Sequence, residues 1–123
     1  MKEFKNDPLR EKTLDFAVRI VKFGQYLRSE KKEFIISKQI VRSGTNPGAM
    51  VREAVNAESG LDFIHKLAMA QKEIGETEYW LEVLLKSGII SQNEFESLYN
   101  SANEIMKIIR SSILTKKKNL AKK

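Results

Sequence analysis

Apolar residues recur every three or four positions along four segments of this chain, and nowhere do they alternate as a half-buried strand requires. That regularity removes sheets and leaves helices that each bury one face. Phe16, Ile20, Phe23 and Leu27 mark the first face, with Leu14, Ala17, Val21 and Gly24 beside them, so the apolar arc is wide. Asp7 and Pro8 open this helix: the aspartate can accept from the free N–H groups of the first turn, and the proline needs no donor there. The polar run 28–33 closes it. A second segment spans about Ser37 to about Ala57. The third is opened by Ser59, with Asp62 three residues on. It carries Phe63, Leu67, Ala70, Ile74, Thr77, Leu81 and Leu84 on one face, and stops at Lys86, Ser87 and Gly88. The fourth opens on Ser91 and Glu94, a full capping box. It continues through Phe95, Leu98, Ala102, Ile105, Ile109 and Ile113, spaced like coiled-coil a and d positions. Short connections make neighbouring helices antiparallel. The expected fold is therefore all-α, an antiparallel up-down-up-down four-helix bundle. It occupies residues 1–115, with a basic C-terminal tail at 116–123. A chain of 123 residues fits one domain, and no internal repeat is visible.

The second segment contains the one awkward stretch, Arg42 to Ala54, with Gly44, Pro47 and Gly48 close together. It is not a phosphate loop. The two glycines are four apart rather than five, Ala49 stands where a lysine is needed, and no strand precedes it. Ile36, Ile40, Gly44, Gly48, Val51 and Val55 instead carry a helical stripe straight through, so Gly44 and Gly48 share a face on which another backbone can come close. Pro47 opposes this, because inside a helix it loses a hydrogen bond and strains against Ser43, at about 3 kcal/mol. Two readings stand. One kinked helix is favoured by the periodicity; the other has two helices, with Asn46 as cap and Pro47 as first residue of the second.

Charge narrows the partners. The net charge is +6, but the last eight residues hold five lysines and no acid, and without them 17 basic residues face 16 acidic ones. The remainder is uneven: residues 1–58 carry a net +4 and residues 59–115 a net −3. Lys116, Lys117, Lys118, Lys122 and Lys123 are thus the candidate nucleic-acid contacts, although a solvated helix end gives the same pattern. Cysteine is absent, which excludes disulfides and thiolate metal sites and fits a cytoplasmic setting. No apolar run reaches membrane length and the first residues have no signal-like apolar core, so neither membrane association nor export is expected.

The stretch from Gln39 to Leu84 resembles the small bacterial four-helix-bundle proteins encoded in intervening sequences of 23S ribosomal RNA genes. The resemblance rests on Arg42, Ser43, Gly44 and Thr45; on Glu53 and Ala54; on Asp62, Phe63, Ile64, Lys66 and Leu67; and on Lys72, Glu73, Glu76, Thr77, Glu78, Tyr79, Trp80 and Leu81. Pro47 departs from the usual aliphatic residue, and Met50 from an expected asparagine. The resemblance implies a left-handed bundle, a continuous second helix and a ring-shaped homopentamer. Similarly folded pentameric accessory proteins of diversity-generating retroelements bind nucleic acid and a reverse transcriptase, an analogy of fold alone.

Catalytic chemistry finds little support. His65 is the only histidine. With Asp62 it forms one Asp-x-x-His unit, where di-iron bundles need two, so no metal and no cofactor is expected. Glu73, Glu76 and Glu78 could do acid–base work. A polar network with Arg42, and with Glu53 on the second helix, explains them better. Tyr79 and Trp80 could stack on bases, but their apolar surroundings favour core or subunit interface. The expectation is a non-enzymatic homo-oligomer that binds nucleic acid, RNA before DNA, with no evident small-molecule substrate. The alternative is a protein–protein adaptor or accessory subunit of a larger enzyme such as a reverse transcriptase.

Overall fold

The computed structural model describes residues 7–122. Four helices follow one another: α1 (Pro8–Ser29), α2 (Ile36–Val55), α3 (Gly60–Lys86) and α4 (Gln92–Ala121). Asp7 is extended and its carboxylate accepts from the Leu9 N–H at 2.9 Å, so α1 starts where a cap and a first-turn proline place it. Ser59 accepts from the Asp62 N–H at 3.1 Å, while Asp62 accepts from the Glu58 N–H, one residue earlier than a full capping box would have it. At Ser91 the box is complete. Gly88, at φ +74°, ends α3, with the Ile89 N–H bonded to Leu84 O and the Gly88 N–H to Leu85 O.

Helix α2 begins within one residue of its expected start near Ser37. Ile35 offers no capping side chain. Glu33 supplies the cap from outside, its carboxylate accepting from the N–H groups of Ile35, Ile36 and Ser37 at 2.7–3.2 Å. From there α2 runs unbroken through Pro47 to Val55, which excludes the two-helix reading. Pro47 is buried. The lost backbone bond is tolerated because the helix is clamped on both sides.

The clamp against α1 depends on glycine. A Cβ on Gly24 would collide with Val41 Cγ2, and one on Gly44 would lie 2.8 Å from two side-chain carbons of Ile20. Ile20 is fully buried and branched at Cβ, so it has no room to swing away. Gly48 differs: its Cβ would meet Thr13 O at 3.5 Å, an ordinary contact. Close packing thus falls on Gly24 and Gly44, and Gly48 does not require the missing side chain.

The residue pairs show the antiparallel order. Ile20 meets Gly44 while Thr13 meets Gly48. Asn46 meets Glu73 while Glu53 meets Lys66. Tyr99 meets Glu82 while Leu120 meets Gly60. Each helix packs on the next, and α1 touches α4 more sparingly. That last seam is largely polar, with Arg19 donating to Ser101 Oγ at 2.8 Å and Ser97 Oγ at 2.6 Å, and Lys12 lying 3.4 Å from Glu104. The core holds the expected stripes: Phe16, Ile20 and Leu27 from α1, Leu67 to Leu84 from α3, and Leu98 to Ile109 from α4.

One feature departs from the pattern expected of the sequence. The wide arc of α1 is not all core: Leu14, Val18 and Val21 are 46%, 47% and 40% exposed, a stripe facing outward. Of the two readings of the lysine run, an extension of α4 or a trailing end, the helix takes the first. It continues to Ala121, with Leu120 against Gly60, so Lys116, Lys117 and Lys118 are helical and Lys122 is the cap. Lys123 lies outside the described residues.

Gly44→Ala should therefore lower stability by about 1–3 kcal/mol through overpacking. Gly48→Ala should be neutral or stabilising by up to about 1 kcal/mol, since alanine is the better helix former. Urea denaturation of the two variants, read by helical circular dichroism, checks the contrast.

Candidate functional site

Two places gather polar chemistry. The first is the α2–α3 face. Arg42 reaches Glu76 at 2.7 Å and Glu73 at 3.4 Å, and Asn46 donates to Glu73 at 3.0 Å from one turn further along α2. Behind them, wholly buried, the Thr77 and Ser43 hydroxyls lie 2.9 Å apart, with the Glu73 carbonyl 2.9 Å from Thr77 Oγ1. Two turns down, Glu53 pairs with Lys66 at 3.1 Å. The face is a ladder with an exposed rail of ions and a buried rung of hydroxyls. Its carboxylates are held by cations and an amide, an arrangement that fixes the register of α2 on α3. Asn46 belongs to it by its place four residues after Arg42, although its position before Pro47 also suits a cap.

Glu78 stands apart from this ladder. It faces α4, where burial pushes its carboxyl above the usual carboxylate range; Arg110 opposes the shift and Glu82 adds to it. Tyr79 points outward, edge-on to Trp80 at 5.1 Å, while Trp80 packs against the core with its indole N–H buried and without a hydrogen-bond partner. His65 is exposed and Asp62 caps α3. Among the described residues, no three potential metal ligands cluster, and no helix is long and apolar enough to cross a membrane.

The second place is the C-terminal end of α4 where it crosses the start of α3. The Lys116 ammonium sits 5.4 Å from the Phe63 ring centroid. Phe63, Ser111, Ser112, Thr115, Lys116 and Asn119 line an open groove of about 280 Å³. Lys117, Lys118 and Lys122 are exposed on the same end of the helix, outside the groove lining. Among the described residues, none of these four lysines lies in an ion pair. Of the acids nearby, Asp62 is engaged in its cap and Glu53 with Lys66, while Glu58 is exposed and in no ion pair among the described residues. The hydroxyl and amide groups were not singled out from sequence. The signal was present in Ser112, Thr115 and Asn119, small polar residues at spacings of three and four that run beside the apolar stripe.

A small antiparallel bundle with a motif-bearing ion ladder and a cation-rich helix end is the class these features define. A family model described as 23S rRNA-intervening sequence protein matches residues 6–111, and the chain belongs to that family. A crystal structure of a protein with unknown function from the S23 ribosomal protein family of Bacteroides thetaiotaomicron VPI-5482 is 50% identical. The match covers 85% of this chain and 97% of that one, with a TM-score of 0.84. No curated protein matches the chain. Neither the family nor this structural relative indicates an enzymatic activity. Lys116, Lys117, Lys118 and Lys122 lie beyond the matched residues.

The buried and exposed polar groups should respond differently to mutation. Thr77→Val leaves the buried Ser43 hydroxyl only its long 3.5 Å bond to the Ile40 carbonyl and should cost about 1–3 kcal/mol. Arg42→Met, which opens a largely exposed pair, should cost no more than about 1 kcal/mol; thermal melts of both variants decide the order. Glu78 binds its proton more tightly in the folded chain than in the unfolded one. Its contribution is therefore full below the unfolded value of about 4.5 and is lost as pH rises through the higher folded value. Glu78→Gln should be at least as stable as the parent at pH 7, and its advantage should shrink as pH falls toward about 4.5. Urea midpoints across that range measure it.

Proposed function

We propose that this protein is a non-enzymatic, cytoplasmic homo-oligomer that binds nucleic acid, RNA in the first place, through the C-terminal end of α4. One observation carries the reading: Lys116, Lys117 and Lys118 continue a helix, with Lys122 one turn on, and none is neutralised by an acidic neighbour among the described residues. A helix end holds its charges in a fixed array, which costs less ordering on binding than a loose tail. Four cations on one subunit give weak, salt-sensitive attraction to phosphates. Several subunits presenting the same end multiply it through avidity.

Self-association has its own support. Leu14, Val18 and Val21 form an exposed stripe on α1 beside a groove of about 240 Å³ shared with Thr45, Gly48 and Ala49 of α2. Met69 and Tyr79 are exposed on α3, on the acidic half of the chain. An apolar stripe on the basic half meeting a different surface on the acidic half makes a heterologous contact, and such contacts form rings when the rotation between subunits closes. Five subunits is the number the family resemblance implies. Val18→Glu should convert the assembly to monomers in light scattering.

A second reading, an adaptor or accessory subunit of a larger enzyme such as a reverse transcriptase, is favoured by Phe34 and Ile35. They are 60% and 76% exposed on a connection pinned by Glu33. Binding of a labelled structured RNA at two salt concentrations separates the readings. The comparison is with a variant carrying Gln at positions 116, 117, 118 and 122, because glutamine keeps the helix while truncation would strip Leu120 from Gly60. Nucleic-acid binding predicts affinity that falls steeply with salt in the parent. In the variant affinity should be weaker and the salt slope shallower by roughly 0.7–0.9 for each phosphate that is no longer neutralised. No binding by the parent at low salt would sink the leading reading and leave the adaptor.

A further inference from the structure

Resting on the nucleic-acid reading, we infer that the groove between Phe63 and the last turns of α4 is a single-nucleotide site that selects unpaired RNA. The groove turns one aromatic face outward. Phe63 is partly exposed, and the group over its ring is a lysine ammonium from α4, 5.4 Å from the centroid. A nucleobase is flat and polarisable and can take the same position. Stacking of this kind holds single strands without regard to sequence, because every base has a π face.

The remaining wall has the complementary chemistry. Ser112, Thr115 and Asn119 follow one another along α4 at helical spacing, with Ser111 at the margin. Asparagine offers both donors and an acceptor, and hydroxyls offer either. These are the groups that read an exposed base edge or a ribose hydroxyl. Apart from Phe63, the lining side chains end in polar groups. At about 280 Å³ it lies just below the usual range of about 300–1,000 Å³ for drug-sized ligands, which suits one base with the adjoining sugar.

Lys116 links the groove to the phosphates. In the free protein it covers the ring. A base that stacks on Phe63 displaces the ammonium, which then moves toward the nucleic-acid backbone. Base and phosphate contacts are thus made in one step. A duplex keeps its base faces stacked inward and can engage the lysines alone.

The experiment measures affinity, by fluorescence anisotropy, for a 12-nucleotide single-stranded RNA and for the 12-base-pair RNA duplex of the same sequence. Parent, Phe63→Leu and the Ser112→Ala, Asn119→Ala double variant are compared, each first checked by thermal melting. Leucine keeps an apolar side chain on α3 and removes the π face. Phe63→Leu should weaken single-strand binding at least about fivefold while duplex binding is unchanged. The double variant should act in the same direction. If Phe63→Leu melts early, the double variant decides, since both of its positions lie at the surface of α4. Equal affinity for strand and duplex, unaltered by either change, would overturn this site and leave the cationic reading in place. No binding of either RNA by the parent would overturn both.

Discussion

The close approach of α1 to α2 at Gly24 and Gly44 is the constraint on which the rest of the bundle depends. Where those side chains are missing, Ile20 and Val41 fill the space, and the two helices sit nearer than ordinary residues would allow. That contact fixes the rotation of α2. Gly44 turned toward α1 leaves Ser43 turned toward α3, where its hydroxyl meets Thr77. Arg42 then falls at the rim, within reach of Glu73 and Glu76. A helix held on both faces can carry an internal proline, because its path no longer depends on every backbone hydrogen bond. The run from Arg42 to Gly48 therefore reads as one device: a cation for register, a hydroxyl for the buried rung, a glycine for proximity.

Much of the fold is legible in the sequence. The caps at Asp7, Ser59 and Ser91, the stop at Gly88 and the buried stripes of α3 and α4 all follow from local chemistry that acts within a few residues. The cap of α2 is not legible, although its start near Ser37 is. Its cap comes from Glu33 outside the helix, and a carboxylate two to four residues ahead carries no fixed signature. The outward turn of Leu14, Val18 and Val21 is hidden for another reason: periodicity reports that a residue is apolar, while the neighbouring helix decides whether it is covered. The length of α4 is hidden by its lysines. They read as a frayed end, yet Leu120 and the Phe63–Lys116 contact keep the helix going.

The polar groups divide by the same logic. The ion pair of Arg42 with Glu73 and Glu76 is expected from the motif, and the two helices do bring those residues together. Glu78 belongs to the same motif in sequence. Two positions beyond Glu76 on a helix is more than half a turn, and it faces α4 instead. The groove at Phe63 depends on a crossing of two elements far apart in the chain, which a single-sequence pattern does not report. Its hydroxyls become meaningful only because α4 continues past Thr115.

The thin seam between α1 and α4 has a kinetic consequence. Its hydrogen bonds join residues 78 and 82 positions apart, the largest separations among the side-chain hydrogen bonds of the described residues. Every other neighbouring pair is a hairpin of consecutive helices. Closing a hairpin costs little loop entropy, and bringing the first and last helices together costs more and returns less burial. Such a chain assembles from local pairs and folds quickly for its size. In the finished protein the same seam is the element whose opening requires the least free energy, so amide exchange at its rim should outpace exchange in the α2–α3 core.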